Sequence, residues 1–401
     1  MLTKILKEAK MKTYAEINKK IANKDCVVVT AEEIIELVDE HGEKEVATDV
    51  DVVTTGTFGP MCSSSIYLNF GHSEPPIKML KAWLNKIPTY CGLAAVDAYI
   101  GATELDKNLN LKYGGAHVIE DLVKGKHVHL KAIGYPTDCY PRREIDTYIS
   151  LKDVNQAVMF NPRNANQNYG VATNSSDKTL YTYMGKLLPN FGNANYSTTG
   201  ELSPLLNDPY YKTIGIGTRI LLGGAKGFVT WEGTQFKSKV SRNHNGVPNQ
   251  PGGSLGVIGD LKQMNSSFIQ ALSIPNYGVS LGIGIGIPIP ILNEEILKFT
   301  SVRNRDIYTT VYDYSYPSRN HPILGEVNYQ QLRNGFIKIK GKEIPTKSLS
   351  NYKKARKAAN TLKDWIQNGQ FFLQKPVQNF SLDKSVKPLN IRKKEGLQND
   401  Y

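Results

Sequence analysis

A mixed α and β fold is predicted for this 401-residue chain, with α+β the leading arrangement and α/β the alternative. Three observations predict it. Amphipathic stretches with recognisable caps occur near both ends. Short alternating runs of strand character lie between them. A long middle region rich in glycine, asparagine and tyrosine carries apolar pieces too short for helices. The organisation expected is one large core over residues 1–370, with a helical lead at 1–44, a basic C-terminal helix and a basic tail at 371–401.

In chain order, residues 4–23 read as a basic amphipathic helix. Thr30 and Glu33 form a capping-box pattern ahead of AEEIIELVDEHG, a second helix stopped by Gly42. Val46–Val53 alternates like a strand and delivers the chain into a loop around Cys62. Pro75 and Pro76 are expected to open a helix over IKMLKAWLN, because proline suits the first helical turn. His117–Lys124 reads as a helix ended by Gly125, and His127–Ile133 alternates as a strand feeding a second loop around Cys139. His117, behind Gly114 and Gly115, fits a cap or packing role at the helix start. Residues 301–345 read as short strands and turns, and Leu349–Asn368 as a basic helix ended by Gly369.

Composition narrows the function. Hydrophobic residues make up 40% and charged residues 21% of the chain, ordinary values for a globular protein. The N-terminus lacks the apolar core of a signal peptide, and the apolar run Val279–Leu292 is broken by glycines and prolines, so no membrane span and a cytoplasmic location are expected. Gly215, Gly217, Gly223, Gly224 and Gly227 do not give the dinucleotide-binding spacing. Pro288 and Pro290 forbid the helix that should follow Gly282–Gly286. No phosphate-loop lysine motif, zinc-finger spacing or CxxC pair occurs. The net charge of +12 is concentrated in Lys338–Tyr401, where thirteen lysines and two arginines face five acids. That surplus fits a solvated surface or a dock for an acidic protein; without interleaved aromatics it matches no nucleic-acid module.

The four cysteines divide by setting. Cys26 leads the apolar run CVVVT and, with Cys91, reads as a small buried hydrophobe. Cys62 sits in GPMCSSS and Cys139 in TDCYPRRE, both polar loops following strands, where a scaffold can position chemistry. Arg142 and Arg143 follow Cys139 closely and favour its thiolate. Other candidates are His72 as a proton donor and Arg142, Arg143, Arg163 and Arg219 as grips for a substrate carboxylate. Glu232 and Asp260 are candidates to hold an ammonium group.

The two cysteine loops, with GGAHVIEDLVKGKHVHLKA between them and WEGTQF and PGGSLGVIGDLKQM after them, resemble the homocysteine-biosynthesis family of methanogenic archaea and anaerobic bacteria over roughly residues 10–370. The resemblance implies an L-aspartate semialdehyde sulfurtransferase with Cys62 and Cys139 as its two working thiols. It also implies no tightly bound cofactor, a sulfide or persulfide donor, and electrons from a small ferredoxin-like iron–sulfur protein. Some members carry C-terminal CBS domains; a basic tail stands there in this chain, so nucleotide regulation is not expected. Turning an aldehyde into a thiol consumes two electrons, which a dithiol delivers on closing to a disulfide. The expected cycle has Cys139 carrying sulfur as a persulfide and ends with Cys62 and Cys139 joined. A persulfide carrier without aldehyde turnover is the alternative.

Overall fold

The computed structural model describes residues 11–92 and 97–391. Helix α1, Tyr14–Asn23, starts at Thr13, whose hydroxyl and backbone exchange hydrogen bonds with Glu16 in a capping box. Residues 4–10 of the predicted helix lie outside the described residues. Helix α2, Glu33–His41, follows the expected Thr30–Glu33 exchange, with Glu33 N–H donating to Thr30 Oγ1 at 3.2 Å and Thr30 N–H to Glu33 Oε2 at 2.7 Å.

Two predicted elements differ. Val46–Asp49, expected to begin the strand Val46–Val53, belongs to helix α3, Glu43–Asp49, and the strand runs from Val52 to Pro60. Val46 and Val50 lie four apart, a spacing that suits one face of a helix and one face of a strand alike. Val46 and Ala47 bury against Ile34 and Leu297, which selects the helix. The stretch after Pro75 and Pro76 is a strand, Met79–Leu84. Its buried residues are Met79, Ala82 and Leu84, and a bulge between Met79 and Lys81 breaks the alternation into a helix-like spacing.

The principal sheet has ten strands. In chain order these are β1 (Val28–Thr30), β2 (Val52–Pro60), β3 (Ser65–Asn69), and later β6 (Ala98–Gly101) and β9 (Gln156–Asn164). A second group follows: β10 (Arg219–Leu222), β11 (Ala225–Glu232), β12 (Leu255–Asp260), β13 (Ile269–Ile274) and β14 (Gly278–Pro290). Their spatial order is β1-β2-β14-β10-β11-β12-β9-β3-β6, with β13 also on β14. Within this sheet only β1 and β2 pair in parallel. A separate four-stranded sheet joins β4 (Met79–Leu84), β5 (Ile87–Thr89), β7 (Val128–Gly134) and β8 (Glu144–Ile149) in the order β5-β4-β7-β8. Helix α4, Gly115–Val123, precedes β7 as expected, and six short strands between Val171 and Ser348 form a third sheet.

The glycine run in β14 has a packing role. Ile283, Ile285, Ile287 and Ile289 are fully buried at alternate positions. Between them, Gly282 faces Phe58, Gly284 faces Phe268 and Gly286 lies under Ala358 of helix α5, Tyr352–Gln367. On the neighbouring strand, a Cβ added to Gly56 would stand 2.2 Å from the Ala355 carbonyl oxygen. Glycine here lets the helix backbone lie on the sheet backbone. Helix α5 is further zipped to α2 by Arg356–Glu32 and Lys363–Glu33 pairs at 2.8 and 2.7 Å. Beyond α5 the chain is docked: Phe371 and Leu373 are buried, Gln378 bridges to Ile216, and Phe380 meets Tyr211 edge-on and Phe236 at a tilt. Residues 392–401 of the predicted tail lie outside the described residues. Among the described residues no helix is long and apolar enough to cross a membrane.

Candidate functional site

Cys62 occupies the turn between β2 and β3. Met61 N–H donates to the Leu281 carbonyl at 2.8 Å, and Ser64 closes the turn by donating N–H and hydroxyl hydrogens to the Met61 carbonyl. Ser63 donates to Asn161 Oδ1 at 3.3 Å, while Asn161 Nδ2 donates to Ser64 Oγ at 2.9 Å. The thiol donates to Ser280 Oγ of β14 at 3.3 Å. It is half-buried in a cavity of about 450 Å³ with Arg163, Asn166, Tyr169, Tyr183, Gln235 and Tyr277.

Arg163 leaves β9 with hydrogen bonds only to neutral groups, Asn166 Oδ1 and Gln235 Oε1, both at 3.3 Å. Its guanidinium carbon lies 5.4 Å from the Tyr169 ring centroid. Among the described residues no carboxylate pairs with it, so its charge is free for an anionic ligand. Burial pushes the Tyr169 phenol up to about 12. Burial and, secondarily, the neighbouring Cys62 raise Tyr277. Both phenols therefore keep their protons at neutral pH and can donate them. Tyr183 hydrogen-bonds Tyr314 through their hydroxyls at 2.8 Å and meets Tyr277 edge-on.

Cys139 lies elsewhere. It is exposed in a turn that follows β7, held by reciprocal backbone bonds between Thr137 and Tyr140. It lines a second cavity, of about 380 Å³, with His72, Lys78, Cys91, Asp97 and Tyr140. Cys62 precedes β3 and His72 follows it, so the two cavities sit at opposite ends of that strand. Four steps of about 3.3 Å separate its ends, about 13 Å. All four cysteines are free thiols.

His72 thus belongs with Cys139. Its Nδ1 lies 3.4 Å from Asp97 Oδ1, and Asp97, with its side chain 2% exposed, accepts the Phe70 and Gly71 N–H groups on Oδ2. Arg142 is spent on the Pro75 and Glu74 carbonyls, and Arg143 is exposed without a role the structure shows. Arg219 holds the Phe372 carbonyl of the docked C-terminal segment. Glu232 pairs with Lys384 at 3.5 Å, and Asp260 caps a short turn through Lys262 N–H. Neither acid lines the Cys62 cavity. His117 Nδ1 accepts the Gly114 N–H, the cap role its position suggests. Cys91, read as a buried hydrophobe, is half-buried and faces the second cavity.

A thiol, an unpaired guanidinium and protonated phenols around one cavity are groups that thiol chemistry on a small anionic molecule could use. Residues 26–373 match the family described as homocysteine biosynthesis enzyme, sulfur-incorporation, and the chain belongs to that family. It is 52% identical over 378 residues to an L-aspartate semialdehyde sulfurtransferase of Methanosarcina acetivorans, covering 94% of this chain and 74% of that one. A protein of the same description from Methanocaldococcus jannaschii is 53% identical over 92% of this chain and 73% of its own. An uncharacterized protein of Methanothermobacter thermautotrophicus is 29% identical over 81% and 72%. No solved structure matches the chain.

Proposed function

We propose that this chain is an L-aspartate semialdehyde sulfurtransferase that binds the aldehyde at Cys62 and receives sulfur at Cys139. The overall change consumes one aldehyde RCHO, one hydrogen sulfide, two electrons and two protons, and yields one thiol RCH2SH and one water. The observation that carries it is the juxtaposition of the Cys62 thiol with the unpaired Arg163. Arg163 would grip the substrate carboxylate through two parallel hydrogen bonds, leaving the aldehyde toward the thiol.

Addition of sulfide to the carbonyl carbon gives RCH(OH)SH. A proton from Tyr169 or Tyr277 lets water leave, forming RCH=S. The Cys62 thiolate adds to the thiocarbonyl sulfur as the carbon takes a proton, giving RCH2–S–S–Cys62. A second thiol then releases RCH2SH and leaves Cys62 in a disulfide. Two electrons from an external reductant, such as a ferredoxin-like iron–sulfur protein, restore the thiols.

The test is homocysteine formation from the semialdehyde, sulfide and a strong reductant. A persulfide carrier, the rival reading, would take up sulfur at Cys139 and form no homocysteine under any reductant. It also leaves the Arg163 cavity without a purpose.

A further inference from the structure

We propose that Cys91 is the resolving thiol for a persulfide on Cys139, so that their cavity converts delivered sulfane sulfur into sulfide. This rests on the reading that Cys139 receives sulfur. In the step, the Cys91 thiol attacks the inner sulfur of the Cys139 persulfide, forming a Cys139–Cys91 disulfide and expelling the outer sulfur as hydrogen sulfide. The outer sulfur is reduced to sulfide, the two cysteine sulfurs are oxidised, and the cleaved S–S bond is replaced by the new one. The Cys91 proton leaves with the sulfide. An external dithiol, through two electrons and two protons, reopens the pair.

Topology brings the two thiols together. Strands β5 and β7 both pair antiparallel with β4, meeting Ala82 through Thr89 and Ala132, so they run parallel to each other. Both therefore leave the small sheet at the Met79 end of β4, about 10 Å apart across one intervening strand. Cys91 comes two residues after β5 and Cys139 five after β7. The first is anchored because Tyr90 and Tyr99 exchange both backbone hydrogen bonds. It packs against the cluster of Ile77, Met79, Ala82 and Ala132, of which Ile77 and Met79 line the cavity.

The same cavity contains the proton acceptor such a step requires. Burial raises the Cys91 thiol above its ordinary value, so it needs a base before it can attack. His72 lines the cavity, oriented by the buried Asp97 carboxylate and packed edge-on against Tyr140 at 5.7 Å. Cys139, exposed in its turn, is open to a donor, whereas Cys91 is half-buried. This division matches an acceptor and a resolver.

The experiment uses the reduced full-length chain loaded with glutathione persulfide, desalted, and followed without aldehyde or reductant. The wild type should release about one equivalent of sulfide per chain and yield a Cys91–Cys139 disulfide by peptide mapping. Cys91→Ser should keep the added sulfur on Cys139, read as a persulfide by mass spectrometry, with sulfide release at least tenfold slower until dithiothreitol is added. A wild-type persulfide that forms and persists, or a disulfide mapped to Cys62, would overturn this inference alone. No sulfur uptake at Cys139 would overturn the underlying reading with it. Mapping of the oxidised wild type decides the pairing even where Cys91→Ser folds poorly.

Discussion

Arg163 lies over the ring of Tyr169 with its guanidinium carbon 5.4 Å from the centroid, in the cavity that holds Cys62. The stacking fixes the plane of the fork without consuming its charge. Arg163→Ala should therefore lower kcat/KM for the semialdehyde about 10- to 150-fold, the worth of about 1.5–3 kcal/mol for a charged hydrogen bond. The loss should appear mainly in KM. Arg219→Ala, which severs the Phe372 and Phe228 contacts outside the Cys62 cavity, should leave KM unchanged; equal effects in steady-state assays would refute the assignment.

With a persulfide as the sulfur donor, Cys62→Ala and Cys139→Ala should each abolish homocysteine formation, and Cys26→Ala should retain most of it. Cys26 is 7% exposed, and burial followed by the Asp51 charge pushes its thiol up to about 12. It is protonated at neutral pH and inert. Near-normal turnover in either of the first two variants would end the two-thiol scheme.

Tyr169→Phe and Tyr277→Phe remove protons from the Cys62 cavity while keeping the rings. At least one should slow kcat by about 10²-fold, the lower end for general acid catalysis, with KM little changed. Unchanged kcat in the double variant would exclude the phenols as the source of the proton for departing water.

The pairing of α5 with α2 sets a pH signature. Burial alone would raise the Glu33 carboxyl, but the Lys363 and Thr30 hydrogen bonds outweigh it and hold it below its ordinary 4.5. Its stabilising contribution is complete above that value and is lost as pH falls through the lower, folded pKa. Lys363→Met should lower Tm modestly at pH 7, and thermal melts of the two proteins should converge in acid. A constant gap down to about pH 2 would contradict the linkage.

Gly56→Ala should destabilise the protein by about 1–3 kcal/mol or more, because the methyl group meets the Ala355 carbonyl oxygen. Gly101→Ala, where the added methyl meets nothing within 4 Å, is the control. Chemical denaturation measures both; similar midpoints would mean that α5 does not bear on β2 as described.

Local signals carried the capped helices and the two cysteine loops. Thr30 with Glu33, and Gly125 and Gly369 after their helices, announce themselves within a few residues. Val46–Val53 and Met79–Leu84 did not, because each spacing satisfies two periods and a partner far along the chain decides between them. The cavities follow the same logic. Arg163 could be named from its type, but Tyr277, Ser280 and Gln235 reach Cys62 only through strand pairing, and the tyrosine-rich middle gave a general expectation of a polar wall. Arg142 looked reactive beside Cys139, yet the carbonyls that hold it come from the Glu74–Pro75 loop. Cys91 was hidden because its setting in sequence says nothing of β7. The lysines and arginines of the basic helix fit a solvated surface or a dock in sequence, whereas in the fold Lys354 rests on Phe58 and Lys363 and Arg356 are paired.

The seating of α5 on Gly56 has a bearing on biosynthesis. Strand β2, which presents the Cys62 turn, takes its antiparallel neighbour from residues beyond 277 and its covering helix from residues beyond 351. A ribosome has therefore made most of the described chain before the β14 edge and the α5 face of that strand can be sealed; only its β1 edge has a partner made earlier. Until then a long, apolar and unpaired edge is exposed, which is the arrangement most open to misassociation. Cys62 consequently gains its surrounding pocket only once residues beyond 351 are made, and a product truncated before them would carry the thiol without the pocket that restrains it.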